Sequence, residues 1–176
     1  MTVERLWAPW RMEYILAPSA DECVFCRAGE DAEAHMVLFR GERALIMLNA
    51  YPYNSGHLLV APYAHVGNIN DLTSEDLCAM TELARVSMLA MERCIHPQGF
   101  NVGMNVGRAA GAGIEQHVHL HIVPRWEGDT NFMSVVADTR VVPEALEACH
   151  ERLAPVIEEV AAELGLITKP WEEQEP

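Results

Sequence analysis

Lysine is nearly absent from this chain of 176 residues. Of the 12 basic residues only Lys169 is a lysine, and 26 acidic residues give a formal net charge of -14. A protein that coats a phosphate backbone or an anionic membrane needs an excess of basic side chains. We therefore expect no nucleic-acid partner and no membrane partner. A small anionic ligand is compatible with this charge, because salt screens charges beyond about 8 Å.

Long apolar runs are also absent. No stretch approaches the roughly 18 apolar residues that suggest a membrane-spanning helix. Residues 1–5 lack the order of basic and then apolar residues that is typical of a signal peptide. Both observations predict a cytoplasmic location.

The cysteine count of five is odd, so the cysteines cannot all form pairs within one chain. Cys23 and Cys26 form a Cys-x-x-Cys pair, which favours a reduced compartment with a metal or redox site over a secreted disulfide framework. Cys78, Cys94 and Cys149 fall in apolar helical patterns, and we expect them to be small buried hydrophobic residues.

The length and the hydrophobic content, which is 50% of the residues, suit one compact domain and are short for two. Strand-like runs are separated by one long helical pattern, without a regular β-α-β alternation. This order predicts an α+β fold with a mainly antiparallel five-stranded sheet, one long central helix and a C-terminal helix. The expected strands are 36–40, 43–49, 57–61, 100–106 and 117–125, with 132–136 as a further candidate.

The long helix is expected to begin at Ser74 as N-cap and to end near Cys94. The last helix is expected over 143–164, with an interruption at Pro155. The predicted organisation is an aromatic arm over 1–22, the main domain over 23–140, the C-terminal helix packed on the same domain over 141–168, and an acidic tail over 169–176.

Residues 117–121 carry the most chemical information. His117, His119 and His121 alternate with apolar residues, so a strand would place the three imidazoles on one face about 7 Å apart. Three chemistries fit such a row: metal binding, general acid–base catalysis with a separate nucleophile, and covalent catalysis by a histidine. At most two of these side chains reach one tetrahedral ion comfortably. The central His119 suits nucleophilic attack, provided that a backbone carbonyl orients its neutral ring.

The cysteine pair is ambiguous when taken alone, because the same spacing serves zinc, redox chemistry or neither. A thioredoxin-like use would place the pair near a β-α-β unit, which the pattern lacks. A zinc site would need a second pair of ligands.

Several motifs resemble the histidine triad superfamily of nucleotide hydrolases and transferases. The histidine row is followed by Pro124 and Arg125, and the upstream motifs occur in the order typical of that family. Segments 6–11 and 124–132 further resemble the diadenosine tetraphosphate phosphorylase-like and fragile-histidine-triad-like branch. The upstream motifs are Asn49, the strand 56–62, His65, and Asn105 with Gly107.

The resemblance implies a HIT-like fold and cleavage of dinucleoside polyphosphates, such as diadenosine tetraphosphate, through a covalent nucleotidyl-histidine intermediate. His119 would be the nucleophile, and His121 would bind the scissile phosphate and assist the leaving group. Asn105 would contact the phosphates and Asn49 the ribose. His57 follows a glycine on the strand expected beside the nucleotide, and either a role in lining the site or a structural role fits it. The final acceptor would be water or inorganic phosphate. The alternatives are a nucleoside phosphoramidase and a non-catalytic nucleotide-binding module.

The glycine-rich turn 107–113 supplies further candidate substrate contacts, among them the backbone amides of Gly107 and Gly113. The run before the triad is one residue longer than the family pattern, which leaves Gln116 and backbone amides as candidates for the usual phosphate contact. Arg108 or Arg125 would add positive charge. Magnesium could accompany the substrate, although the sequence has no carboxylate cluster to bind it independently.

The resemblance also implies a structural zinc ion and a homodimer. Some triad proteins hold zinc with an N-terminal Cys-x-x-Cys and two histidines, and the matching positions here are Cys23, Cys26, His65 and His117. Two thiolates and two imidazoles make a closed tetrahedral site. The metal would then anchor the triad strand and leave no open position for catalysis.

Overall fold

The computed structural model describes residues 23–30, 36–129 and 144–167. The expected arm, the strand candidate at 132–136 and the acidic tail lie outside these ranges. No helix in the described part of the chain is long and apolar enough to cross a membrane. The elements are α1 (Val24–Glu30), β1 (Val37–Arg40), β2 (Ala44–Leu48), β3 (Leu58–Pro62), α2 (Ser74–Ile95), β4 (Gly99–Met104), β5 (Leu120–Arg125) and α3 (Leu146–Glu163), with short 3-10 turns at Ile69–Asp71 and Arg108–Ala110.

The five strands form one antiparallel sheet in the order β1-β2-β3-β5-β4. The α+β class and the five-stranded antiparallel sheet are therefore confirmed. β3 and β5 are adjacent although α2 and β4 separate them in sequence. This pairing brings the Gly56-His57 segment next to the histidine row.

Both faces of the central strands are covered, and every residue of β2 and β3 is buried. Ile46 and Val60 pack on the side of α2 and α3, whereas Leu45 and Leu59 pack on the side of α1 with Phe25. Alternation with a period of two thus divides the core into two layers. The long helices occupy one face of the sheet and leave the other face to α1 and the histidines.

The N-cap of α2 is Thr73 rather than Ser74. The Thr73 hydroxyl accepts from the Asp76 backbone N–H, and the Asp76 carboxylate accepts from the Thr73 backbone N–H. This reciprocal capping box favours Thr73, because the acidic residue stands three positions after it. The helix ends at Ile95, and His96 follows in the left-handed conformation with φ 48°.

The interruption predicted at Pro155 is wrong, because α3 continues through this residue. Proline removes one backbone hydrogen bond from a helix interior. Leu153 and Ile157, on either side of it, are both fully buried against the main core cluster. Their burial holds the helix together, and Pro155 itself is exposed.

Two strand boundaries differ from expectation by more than one residue. β5 begins at Leu120 rather than at residue 117, because the Val118 backbone N–H donates to Val66 O instead of to β3. β4 ends at Met104, two residues early, and Val102 and Val106 are exposed. β4 is an edge strand, so its apolar side chains have less cover than those of β2 and β3.

The expectation for the three single cysteines holds only for Cys149, which is buried, whereas Cys94 is half-buried and Cys78 is exposed. Cys78 lies in the first turns of α2 on the side away from the buried residues. The short helix α1, which contains Cys26, was not predicted. Its seven residues are too few to show a helical hydrophobic period.

Candidate active site

The histidine row lies on the sheet face that α1 covers. His121 pairs with Leu59 across β3 and β5, and Leu59 belongs to the layer that contacts α1. Leu120 and Ile122 point to the opposite layer, toward the long helices. Apolar burial on one side of β5 therefore fixes which side presents the imidazoles.

Four metal-ligating side chains converge at one end of the row. The ligand atoms of Cys23, Cys26, His65 and His117 all lie within 4.8 Å of one another. Cys23 Sγ is 3.4 Å and Cys26 Sγ 3.7 Å from His117 Nδ1. His65 Nδ1 is 3.3 Å from His117 Nδ1 and 3.1 Å from Cys26 Sγ. A tetrahedral zinc ion with ordinary bond lengths separates its ligand atoms by about 3.3 Å (N–N) and about 3.5 Å (N–S), so this cluster has the dimensions of such a site.

Hydrogen bonds alone do not account for the surroundings of His117 Nδ1. The other ring nitrogen, Nε2, is 2.8 Å from Pro62 O, and a carbonyl only accepts, so Nε2 carries the proton. Nδ1 of the neutral ring then has one lone pair, yet two sulfur atoms and a nitrogen surround it. A shared cation would account for this convergence, and the bond to Pro62 O is the kind of support that metal-bound histidines receive.

Gly67 allows His65 to reach this cluster. A Cβ at Gly67 would lie 2.5 Å from Glu115 O, which is closer than real contacts allow. The 65–67 loop can therefore lie directly against the segment before the triad, where Val66 O accepts from the Val118 N–H. Glycine at this position is needed for close approach of two backbones.

At the other end of the row, one backbone donor determines the protonation pattern. The Tyr53 N–H is 3.0 Å from His57 Nδ1, and Asn49 Nδ2 is 3.2 Å from the same atom. Because a backbone N–H only donates, His57 Nδ1 must accept and the proton lies on Nε2. His57 Nε2 is 3.0 Å from His121 Nδ1 and donates to it.

His121 therefore carries its own proton on Nε2. That nitrogen is 3.5 Å from the Asn105 side-chain amide, which can present its oxygen by a half-turn. The Tyr53 ring stacks on His121 with centroids 5.9 Å apart. His121 thus offers an N–H donor with a fixed direction.

His119 has the opposite tautomer. Its Nδ1 is 2.9 Å from His117 O and must donate to this carbonyl, which leaves the lone pair on Nε2. The ring lies 4.8 Å from the His121 ring and 4.7 Å from the Phe25 ring. A nucleophilic nitrogen and an N–H donor therefore stand on neighbouring rings, as required for attack on a phosphorus and protonation of its leaving group.

Burial keeps these rings neutral. It is the largest cause that lowers the pKa of His57 to about 3 and that of His121 to about 4, and charge repulsion between the histidines adds to it. Burial also lowers the pKa of His119, although the bond to His117 O acts in the opposite direction. Among the thiols, burial and then the nearby Cys23 raise the pKa of Cys26 to about 11. A bound divalent cation would reverse that effect by stabilising both thiolates.

Of the remaining candidate substrate contacts, Asn49 lies next to His57. Asn49 accepts from the Tyr51 N–H through Oδ1, which points its Nδ2 toward His57. Gly107, Gly113 and Gln116 lie on the exposed loop that follows β4. The loop thus extends from the strand end that carries Asn105.

Arg125 is engaged elsewhere. Its guanidinium makes two hydrogen bonds to Asp129, of 2.5 and 2.9 Å, and one of 2.7 Å to Asn101. Asp129 also accepts from Asn54, which in turn donates to Pro124 O. This network connects the end of β5 to the loop that carries Tyr53. The role of Arg125 as a source of positive charge for the substrate stays a prediction, and so does that of Arg108, which is highly exposed and lies 3.6 Å from Glu115.

Sequence reasoning missed three contributors to the site. The Tyr53 backbone N–H and the Pro62 carbonyl are main-chain groups, which residue type does not reveal. Phe25 stands inside the Cys-x-x-Cys pair, and its ring also contacts His117. A large aromatic residue between two cysteines was the available signal for its burial.

Comparisons with known proteins agree with this geometry. A family model described as HIT domain matches residues 31–128. An AP-4-A phosphorylase from Mycobacterium tuberculosis is 34% identical over 163 residues, which cover 86% of this chain and 83% of that protein.

Solved structures are similar over most of the chain. A Zn-bound histidine triad family protein from Mycobacterium smegmatis has a TM-score of 0.66 and 29% identity, covering 81% of this chain and 97% of that one. A hypothetical histidine triad nucleotide-binding protein from Sulfolobus tokodaii has the same TM-score and coverage at 26% identity. With the shared fold, the family match and the triad geometry taken together, this chain belongs to the HIT domain family of histidine triad proteins.

Proposed function

We propose that the protein is an enzyme that cleaves dinucleoside polyphosphates, such as diadenosine tetraphosphate, through a nucleotidyl group carried on His119. The observation that carries the proposal is the pair of opposite tautomers on adjacent rings. His119 keeps a lone pair on Nε2, and His121 keeps a proton on Nε2. The family membership and the AP-4-A phosphorylase relative support the same reaction class.

The reaction has two steps. His119 Nε2 attacks the α-phosphorus, and the new P–N bond replaces the P–O bond to the departing nucleotide, whose oxygen takes the proton from His121. An acceptor then attacks the same phosphorus and breaks the P–N bond. Positioning and charge stabilisation do most of the work in such transfers.

Inorganic phosphate is the acceptor that we propose. With diadenosine tetraphosphate, phosphate gives ADP and ATP, whereas water gives AMP and ATP. The relative with 34% identity over most of this chain is named as a phosphorylase, which supports phosphate.

We also propose a structural zinc ion held by Cys23, Cys26, His65 and His117. The ligand spacings and the single lone pair of His117 Nδ1 support it. Four protein ligands fill a tetrahedral site, so the ion supplies folding energy rather than a catalytic position. Reduced thiols are required, which agrees with the expected cytoplasmic location.

Magnesium that accompanies the substrate stays a prediction. The cluster of Cys23, Cys26, His65 and His117 is the one group of metal-ligating residues in the described ranges, and it contains no carboxylate of the kind that magnesium prefers.

The exposed edge strand β4 supports a homodimer. β1 at one edge is packed against α3, and His150 Nε2 donates to Val37 O there. β4 at the other edge pairs only with β5 within the described residues, and Val102 is 47% exposed. An exposed edge strand readily pairs with another strand. We propose that β4 of a second copy extends the sheet.

The substrate reaction tests the proposed activity. In phosphate buffer, diadenosine tetraphosphate should give ADP and ATP by chromatography. In phosphate-free buffer, intact mass spectrometry should detect one added adenylyl group. His119→Ala should lower kcat by at least about a thousandfold and form no adduct, because no nitrogen remains to attack.

His96→Ala is the matched control, since His96 is exposed at the end of α2, and it should retain wild-type turnover. AMP in place of ADP at saturating phosphate would identify water as the acceptor. Wild-type turnover by His119→Ala would overturn covalent catalysis.

Zinc removal should destabilise the protein. Purified protein should contain one zinc per chain, and a chelator should lower the Tm by roughly 10 °C or more, because metal-binding energy contributes to folding. Cys26→Ser should lose the metal by elemental analysis. Cys78→Ser, at an exposed cysteine outside the cluster, should keep it. A metal-free protein with an unchanged melting curve would rule out the site.

Acid should destabilise the fold through the buried histidines. The folded-state pKa values of His57 (about 3) and His121 (about 4) lie below the unfolded value of 6.5. The unfolded chain therefore binds more protons from pH 6.5 downward, and the free energy of unfolding falls as pH falls. Each group should contribute a loss of roughly 2 kcal/mol between about pH 7 and pH 5.

Urea unfolding of His57→Gln at several pH values isolates the contribution of His57. A loss of stability that is the same at every pH does not change how the free energy of unfolding varies with pH. The variant should lose roughly 2 kcal/mol less than wild type over that interval. His96→Gln should follow wild type. Equal slopes in all three proteins would show that His57 does not stay neutral in the fold.

Light scattering should give a mass of twice 19.6 kDa for the wild type. Val102→Lys should give the single-chain mass, because a lysine on the strand edge opposes pairing. Ile69→Lys places the same charge on an exposed apolar residue outside the sheet and should leave the dimer intact. A monomeric wild type, or a dimeric Val102→Lys protein, would contradict the β4 interface.

A further inference from the structure

Phe25 connects the metal-ligand cluster to the triad. It lies in α1 between Cys23 and Cys26 and is 2% exposed. Its ring centroid is 5.1 Å from that of His117 and 4.7 Å from that of His119. One side chain therefore touches both a member of the cluster and the candidate nucleophile.

The orientation of His119 depends on the same region. Its Nδ1–H donates to the backbone carbonyl of His117, and Phe25 packs on its ring at an angle of 39°. Two of the contacts that hold the imidazole thus come from a cluster residue and from the residue between the cysteines. The other ring in contact with His119 among the described residues is that of His121.

We propose that Phe25 is a positioning residue through which the metal-ligand cluster sets the orientation of His119. The inference rests on the proposed role of His119 as nucleophile. The cluster ties α1 to the segment at His117, which keeps the Phe25 ring against His119 and directs Nε2 toward the substrate. The metal centre then influences the rate of the chemical step as well as the stability of the fold.

Geometry explains why an aromatic ring matters here. A flat ring in contact with an imidazole limits rotation of that imidazole, whereas a branched aliphatic chain fills part of the volume and leaves freedom to turn. Misplacement of a reacting group by about 1 Å can cost on the order of a hundredfold in rate. The loss should therefore appear in kcat more than in KM.

A purely structural role for Phe25 makes a different prediction. Phe25 also packs in the smaller core cluster with Leu45, Met47 and Leu59. If packing were its only role, a smaller residue would lower the Tm and leave kcat unchanged in the folded protein. Phe39→Leu provides this comparison, because Phe39 is 4% exposed in the other core cluster on the far side of the sheet.

The test compares Phe25→Leu with Phe39→Leu in zinc-loaded protein well below the melting temperature. We expect kcat of Phe25→Leu to fall by roughly tenfold to a hundredfold with KM within about twofold. Zinc content should stay at one per chain. Nitrogen NMR of the imidazoles should show mixed tautomers at His119, in place of the single Nδ1–H form. Phe39→Leu should lower the Tm and keep the kcat of wild type.

A kcat for Phe25→Leu equal to that of Phe39→Leu would overturn the proposal. Loss of zinc from Phe25→Leu would also overturn it, because the residue would then support the metal site rather than His119. Failure of the proposed function is distinguishable, since in that case His119→Ala itself would retain turnover.

A measurement on the wild type covers the case in which Phe25→Leu does not fold. Removal of the metal by a chelator should change the NMR signals of the His119 ring while circular dichroism still reports a folded chain. An unchanged His119 spectrum in the metal-free folded protein would overturn the coupling.

Discussion

The chemistry of the site depends on a hydrogen bond that has only one direction. The Tyr53 backbone N–H can donate and cannot accept, so His57 must present a lone pair to it. The proton of His57 then faces His121, and the proton of His121 lies on the nitrogen next to the Asn105 side-chain amide. The carbonyl of His117 imposes the reverse order on His119. Two main-chain groups thus give neighbouring rings different chemical roles.

Burial preserves these donor and acceptor roles at neutral pH. A ring that gained a proton at neutral pH would have two N–H donors and no acceptor. Desolvation lowers the pKa values of His57, His119 and His121, and this keeps the three rings neutral. The overall charge of -14 acts at longer range and does not alter this local order. An acidic protein can therefore contain a site for a phosphate ester, because the site depends on neutral donors and lone pairs.

The sequence predicted those parts of the site that residue type and spacing reveal. The alternation of the histidines and the spacing of the cysteine pair are of this kind. The choice of His65 and His117 as partners of Cys23 and Cys26 came from the resemblance to the histidine triad superfamily, and the structure brings these four side chains together. A backbone carbonyl as partner of His119 was expected, and His117 supplies it. The roles of Tyr53 and Pro62 were not predictable, since these residues act through backbone atoms whose position depends on the fold. The capping position was displaced by one residue because Thr73 and Ser74 are both good caps, and only the distance to Asp76 distinguishes them. Pro155 was misread because tertiary burial of its neighbours outweighs its helix-breaking tendency.

The four members of the cluster are far apart in sequence, so assembling them reduces the conformational entropy of the chain. Cys23 and Cys26 are neighbours on one short helix, but Cys26 is 39 residues from His65 and 91 residues from His117 along the chain. Bringing such distant residues together costs an unfolded chain several kcal/mol, about as much as closing a comparably long disulfide loop. His65 follows β3 and His117 precedes β5, so in the folded chain the pairing of these two strands brings both histidines to the same place. An ion bound there would act as a reversible cross-link between α1 and the segment directly before β5.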